Sequence, residues 1–197
     1  MTGLRVVRKS GAALQAHLED LARLRITVFR DFPYLYEGDP VYEQRYLQTY
    51  ADAPDSVIVL VFDNDQVVGA SSGIPLSDET PEIQKPFQDQ GYDVERVFYC
   101  GESVLLRDYR GRGLGVAFFE EREAHAQALN RFDTISFCAV ERPLDHPRRP
   151  QGYTPLDVFW QRRGYRKQPH LRTSMSWQDL DEAHETPKPM IFWTKGV

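Results

Sequence analysis

The segment Tyr109-Arg110-Gly111-Arg112-Gly113-Leu114-Gly115 constrains this chain more than any other, because it joins a strand to a helix through a turn open to few residue types. Upstream, Val97 to Leu106 is apolar and β-prone; downstream, Leu114 to Leu129 has no Gly or Pro after Gly115 and reads as an amphipathic helix. A glycine-rich turn entering a helix gathers unpaired backbone N–H groups at the positive end of the helix dipole, which favours an anion such as a phosphate. Gly113 and Gly115 permit positive φ and carry no Cβ to hold a diphosphate away, while Arg110 and Arg112 add positive charge beside them. The expectation is an anion cradle.

Two common phosphate loops do not fit. A dinucleotide fingerprint needs Gly or Ala at its sixth position, where this chain has Val116 or Phe118 depending on the starting glycine. A Walker loop needs Gly-Lys-Ser/Thr, which is absent. What remains is R-x-x-G-x-G, formed by Arg110, Gly113 and Gly115.

That pattern, following Glu102-Ser-Val-Leu-Leu-Arg-Asp-Tyr and opening a helix, resembles the acetyl-CoA signature of the GNAT superfamily of N-acyltransferases. The resemblance implies an α/β (α+β) fold, a mixed central β-sheet flanked by helices, in a single domain over residues 1–197. It further implies acetyl-CoA as co-substrate, with no metal. Val104, Leu105 and Leu106 would line the acyl-CoA, and Arg110, Gly111, Arg112, Gly113, Leu114 and Gly115 would hold its diphosphate.

The element pattern agrees with that architecture. Leu4 to Arg8 is a strand candidate. Ser10 is placed to cap a helix carrying Leu14, Leu18, Leu21, Leu24 and Val28 at helical spacing, which ends near Asp31-Phe32-Pro33. A second helix is expected from Pro40 to Tyr50, a hairpin from Ser56–Phe62 and Gln66–Ile74, and a polar connector from Leu76 to Asp93. After the cradle helix come a strand (Thr134 to Val140), a proline-rich loop (Glu141 to Tyr153), a short helix (Leu156 to Arg163) stopped at Gly164, and closing strands over Tyr165–Trp177 and Met190–Lys195.

Charge is unevenly distributed. Residues 31–95 carry 14 Asp/Glu against Arg45 and Lys85, whereas residues 96–176 carry 14 Lys/Arg against 9 Asp/Glu. The basic half holds the cradle; the acidic half suits a cationic partner such as an amine. No basic stripe interleaved with aromatics marks a nucleic-acid binder, and the longest apolar run, Val57 to Phe62, is far below a membrane span. No secretory signal is visible, and Cys100 and Cys138 read as inert buried thiols of a reducing cytoplasm. A homodimer is left open.

Acyl transfer from a thioester to an amine needs a neutral amine, a stabilised oxyanion and a departing thiolate. Glu102, a carboxylate in an otherwise apolar strand, is the first candidate base, at a position where GNAT members often carry Glu; Glu141 is the second. The family's usual tyrosine four residues before the Gly of its closing motif is here Trp160, whose indole cannot act as a phenol-like acid, so Tyr153 is the substitute candidate. Phe32, Tyr34 and Tyr36 are expected to wall the pocket of a small-molecule or peptide amine. Glu121 and His125, four apart on the cradle helix, read as a structural pair. Gly101 marks a bulge or a close approach.

Two other readings compete. The missing tyrosine suits an acyl-CoA-binding sensor without catalysis. Gly69-Ala70-Ser71-Ser72-Gly73 matches the G-x-S-x-G elbow of serine hydrolases, with Ser71 as nucleophile, although Ile74-Pro75 follows where a helix belongs.

Overall fold

A computed structural model describes residues 3–197. Eight strands form one sheet in the order β1-β2-β3-β4-β6-β8-β7, with β5 also on β3. The strands are β1 (Leu4–Lys9), β2 (Val57–Asp63), β3 (Gln66–Pro75), β4 (Val97–Tyr99), β5 (Ser103–Leu105), β6 (Thr134–Val140), β7 (Arg166–Trp177) and β8 (Thr186–Gly196). Every pairing is antiparallel except β4 with β6. The helices are α1 (Leu18–Phe29), α2 (Pro40–Asp52), α3 (Pro81–Asp89), α4 (Leu114–Ala128) and α5 (Asp157–Arg162).

The alternation of β2 shows how the sheet separates two cores. Ile58 and Leu60 face a cluster that includes Leu21 and Leu24 of α1, Leu47 and Tyr50 of α2 and Phe87 of α3. Val57, Val59 and Val61 face the opposite cluster, built on Phe118 and Phe119 of α4 with Phe137 and Trp193. Leu24 and Leu47 are fully buried, and burial of each such side chain is worth roughly 1.5–3 kcal/mol.

Three local readings are corrected. Ser10 makes no side-chain cap; it precedes a 3-10 turn, Gly11–His17, and α1 starts only at Leu18. The connector after β3 contains α3, opened by Thr80-Pro81 with Pro at a first-turn position. Its periodic pair Ile83 and Phe87 is buried, and Pro86 lies inside it. A proline there cannot bond the carbonyl four residues back, Glu82, and the Thr173 hydroxyl donates to that oxygen instead at 2.9 Å.

The third correction shapes the site. Val97 to Leu106 is not one strand but two, β4 and β5, interrupted at Cys100-Gly101-Glu102. β4 pairs with β6, and the Cys100 N–H donates to Ser136 O at 2.7 Å; β5 then pairs only with β3. The sheet opens between β5 and β6.

Candidate functional site

The cradle forms where expected but uses its glycines differently. Gly111 and Gly113 take left-handed backbone, φ 76° and 81°, and Gly113 is the N-cap residue of α4. Gly115 lies in the first turn of α4, not in the left-handed region; there a Cβ would meet only Phe159, at 3.6 Å. Nothing lies within 4 Å of a Cβ built on Gly111 or Gly113, so the concavity is open. The Val116 and Ala117 N–H groups return to Gly113 O, while those of Leu114 and Gly115 have no intrahelical partner to reach. Arg110 donates to Leu105 O at 3.1 Å and lies 3.5 Å from Asp31, and Arg112 donates to Asp108 O at 2.9 Å.

The backbone of β5 is divided between two edges. Ser72 N–H bonds Glu102 O and Leu106 N–H bonds Val68 O, so by antiparallel alternation Val104 also spends its polar groups on β3. Those of Ser103 and Leu105 turn towards the gap. The free donors there belong to Ser103 and Leu105, not to Val104 and Leu106.

On the other side of the opening, a cavity is walled by Phe29, Tyr34, Tyr36, Tyr42, Tyr46, Tyr99 and Trp177, with Arg25, Gly101, Cys138, Ser176 and two methionines completing it. Arg25 projects from the apolar face of α1. Its Nε donates to Glu43 of α2 and its Nη1 to Glu102, and the two carboxylate side chains are 0% and 2% exposed. Burial opposes the charge of Arg25, but the fields of Glu102 and Glu43 outweigh it and hold the guanidinium protonated. One oxygen of each carboxylate, Glu43 Oε1 and Glu102 Oε1, is buried without a hydrogen-bond partner. One cation against two carboxylates leaves the cluster with an excess negative charge.

Gly101 is the close approach anticipated from sequence. A Cβ there would fall 2.1 Å from the Tyr50 hydroxyl, 2.8 Å from Ser72 Oγ and 3.1 Å from the Tyr46 hydroxyl. The Tyr46 and Tyr50 hydroxyls are 3.0 Å apart, and Tyr50 donates to Glu79 at 2.8 Å. Burial pushes Glu79 above the usual carboxylate range, against the pull of the Thr80 N–H and the Tyr50 hydroxyl. Burial likewise raises both tyrosines.

The remaining candidates disperse. Tyr34 and Tyr36 line the cavity, but Phe32 does not; its ring packs edge-on against Tyr153 at 4.7 Å and near His146 at 5.6 Å. Tyr153 therefore sits outside the cavity wall, with Arg149 5.0 Å over its ring. Glu141 is held by Arg172, beyond the cavity lining. Glu121 pairs with Arg8 at 2.9 Å and His125 reaches Asp55 O at 2.9 Å, so these two do not form a pair with each other. Trp160 is packed between Phe137 and Trp193, at 5.0 and 5.1 Å. Cys138 is the one surprise among the thiols: it lines the cavity, burial pushes it up to about 12, and Tyr99 OH lies 3.1 Å away. Ser71 is fully buried in the middle of β3, which runs on to Pro75 without turning into a helix, so the hydrolase elbow is absent.

Sequence reading missed Arg25, Glu43, Tyr46, Tyr50 and Glu79. A signal was present: Arg25 interrupts the apolar stripe Leu21-Leu24-Val28, and Glu43, Leu47 and Tyr50 recur at helical spacing on α2. A charge on a core face requires a buried partner.

The chain belongs to the acetyltransferase (GNAT) family, whose model matches residues 13–150. Solved structures share its fold across nearly the whole chain. Arabidopsis thaliana NAA60 in complex with acetyl-CoA is 13% identical with TM-score 0.64, covering 98% of this chain and 99% of that one. The ribosomal-protein-alanine N-acetyltransferase from Brucella melitensis is 13% identical with TM-score 0.62, covering 97% and 99%. A GNAT-family acetyltransferase from Streptococcus pneumoniae is 16% identical with TM-score 0.60, covering 98% and 99%. No curated protein matches the chain. Among the described residues, no helix is long and apolar enough to cross a membrane.

Proposed function

We propose that this chain transfers an acetyl group from acetyl-CoA to a primary amine. The carrying observation is the opening between β5 and β6, which has an anion cradle on one side and, on the other, an aromatic cavity whose Arg25 is paired with Glu43 and Glu102 buried behind its wall. The residues present suit acetyl-CoA: a cradle with no Cβ in the way, unpaired N–H groups of Leu114 and Gly115 for the diphosphate, and the free edge of Ser103 and Leu105 for the thioester arm. The co-substrate supplies the activated thioester. Ser103 and Leu105 N–H groups offer hydrogen bonds to its carbonyl, and Arg110 and Arg112 add charge near the diphosphate.

The acceptor amine is drawn as its ammonium ion by the excess negative charge of Glu43 and Glu102 over Arg25, and the aromatic walls hold its apolar part. Glu102 lies behind the cavity wall, its carboxylate bonded to the lining residue Arg25 and 3.5 Å from the Tyr46 hydroxyl, with Oε1 unpartnered. Attack needs the amine neutral, so a carboxylate or water must take its proton.

The test couples calorimetric titration with acetyl-CoA to thiol release across a panel of primary amines, from 2-phenylethylamine to an alanine-initiated peptide. Binding together with amine-dependent thiol release is expected. The packing of Trp160, in the usual tyrosine position, against Phe137 and Trp193 favours a second reading, an acyl-CoA sensor; binding without thiol release from any amine would establish it and remove the transferase.

A further inference from the structure

The proton released by the acceptor needs a destination, and the interior holds an acid that no reading of the sequence singled out. Glu79 follows β3 and is 6% exposed, with no cation bonded to it among the described residues. Its Oε2 accepts the Thr80 N–H at 3.0 Å and its Oε1 accepts the Tyr50 hydroxyl at 2.8 Å. A buried carboxylate without a counter-ion is costly, and two phenylalanines in place of Tyr46 and Tyr50 would fill the same volume. Instead the two hydroxyls, 3.0 Å apart, lead from the cavity to the acid. Tyr46 lines the cavity, its hydroxyl against Gly101 and 3.5 Å from Glu102 Oε2.

Resting on the transferase reading above, we propose that Glu79 is the terminal proton acceptor of the reaction, reached through the hydroxyls of Tyr46 and Tyr50. The amine gives a proton to Tyr46 Oη as the Tyr46 proton passes to Tyr50 Oη and the Tyr50 proton passes to Glu79 Oε1. The amine becomes neutral, Glu79 becomes a carboxylic acid, and both tyrosines end neutral, so the tyrosinate that burial disfavours never forms. Protonating Glu102 would dissolve its ion pair with Arg25, whereas protonating Glu79 removes a buried charge that has no partner. Glu102 then holds the ammonium and Glu79 takes its proton. Tyr46 is the hydroxyl that touches the substrate; Tyr50 and Glu79 act through it.

The groups facing Glu79 are Arg25 on α1, Tyr42, Tyr46 and Tyr50 on α2, Tyr99 on β4, Cys138 on β6 and Glu102. Tyr50→Phe changes none of their charges, which makes it the sharpest variant. With 2-phenylethylamine as acceptor, or the most active amine of the panel, Tyr50→Phe and Glu79→Gln should each lower kcat roughly a hundredfold at pH 7, the usual scale for a lost general base. Amine KM and acetyl-CoA affinity should stay within about twofold. The deficit should shrink steadily as pH rises from 7 towards the pKa of the amine, about 10, because a growing share of it arrives neutral; a merely structural defect would persist at every pH. If Tyr50→Phe does not fold, as judged by its melting curve, Glu79→Gln and Tyr46→Phe carry the same test. A kcat equal to the parent's in the folded variants, or a loss independent of pH, overturns the relay while leaving the transferase standing. No turnover by the parent protein with any amine overturns both.

Discussion

The two sides of the opening are built by opposite means. The cradle is local: seven consecutive residues, two left-handed glycines and the first turn of one helix, with its charges in solvent. The aromatic cavity, with the cluster behind its wall, is assembled at a distance: Arg25 meets Glu43 across 18 positions and Glu102 across 77, all buried. A local site is fixed by backbone geometry and depends little on the core. A distributed site is part of the core, so its chemistry and the stability of the fold rest on the same side chains.

The largest test of that contrast is Arg25→Ala, which leaves Glu43 and Glu102 buried without a cation. Loss of one partner from such a cluster typically costs about 3–5 kcal/mol, so denaturant unfolding should reveal a severely destabilised protein. Gly113→Val should do the reverse: roughly a hundredfold weaker acetyl-CoA binding by calorimetry, because a β-branched residue is strained at φ 81°, with a smaller effect on the melting temperature. If Gly113→Val unfolds the chain as thoroughly as Arg25→Ala, the distinction between local and distributed sites fails.

Smaller effects sharpen the comparison. Glu102→Gln keeps shape but removes a negative charge from behind the cavity wall, so amine KM should rise roughly tenfold with kcat within about threefold; a kcat collapse at unchanged KM would instead make Glu102 the base. At Glu182, burial raises the carboxyl, but the Lys188 ammonium, the Asp179 N–H and the Thr186 hydroxyl overcome it and bring it down to about 2. Its folded value lies below its unfolded one, so its stabilisation is present above about pH 4.5 and disappears as pH falls towards 2. Glu182→Gln should therefore cost under about 1 kcal/mol at pH 7 and nothing near pH 2. Smallest is Arg110→Ala, a threefold to fivefold loss of acetyl-CoA affinity at low salt that fades at high salt, since the side chain is exposed.

What could be read from sequence follows the same division. The cradle, α4, the β2–β3 hairpin and the closing strands announce themselves within windows of ten or so residues, where periodicity and glycine placement act directly. α3 stayed hidden because Pro86 argues against a helix, and only the tertiary structure supplies the Thr173 hydroxyl for the orphaned Glu82 carbonyl. The break between β4 and β5 was foreshadowed by Gly101 but not its cause, the divergence of β6. Tyr34 and Tyr36 line a cavity, whereas Phe32 and Tyr153 turned to each other: their aromatic character was legible and their direction was not. Glu102 stood out as a charge in an apolar strand. Arg25 offered the same signal on α1, yet its partners lie on other elements, and no periodicity links them.

Gly101 gives the molecule a dependence on the order of change. A methyl group there would collide with the Tyr50 hydroxyl, 2.1 Å away, so Gly101→Ala is closed to a lineage that keeps Tyr50. Were Tyr50 first to become a smaller residue, the tightest clash would go and only the Ser72 hydroxyl, 2.8 Å away, would have to shift; once the methyl group was fixed the tyrosine could not return. The absent methyl thus works as a ratchet on descent: two positions 51 apart in the chain must change in one sequence and not the other, and a pair of relatives differing at both would show interdependent substitutions where each alone is harmful.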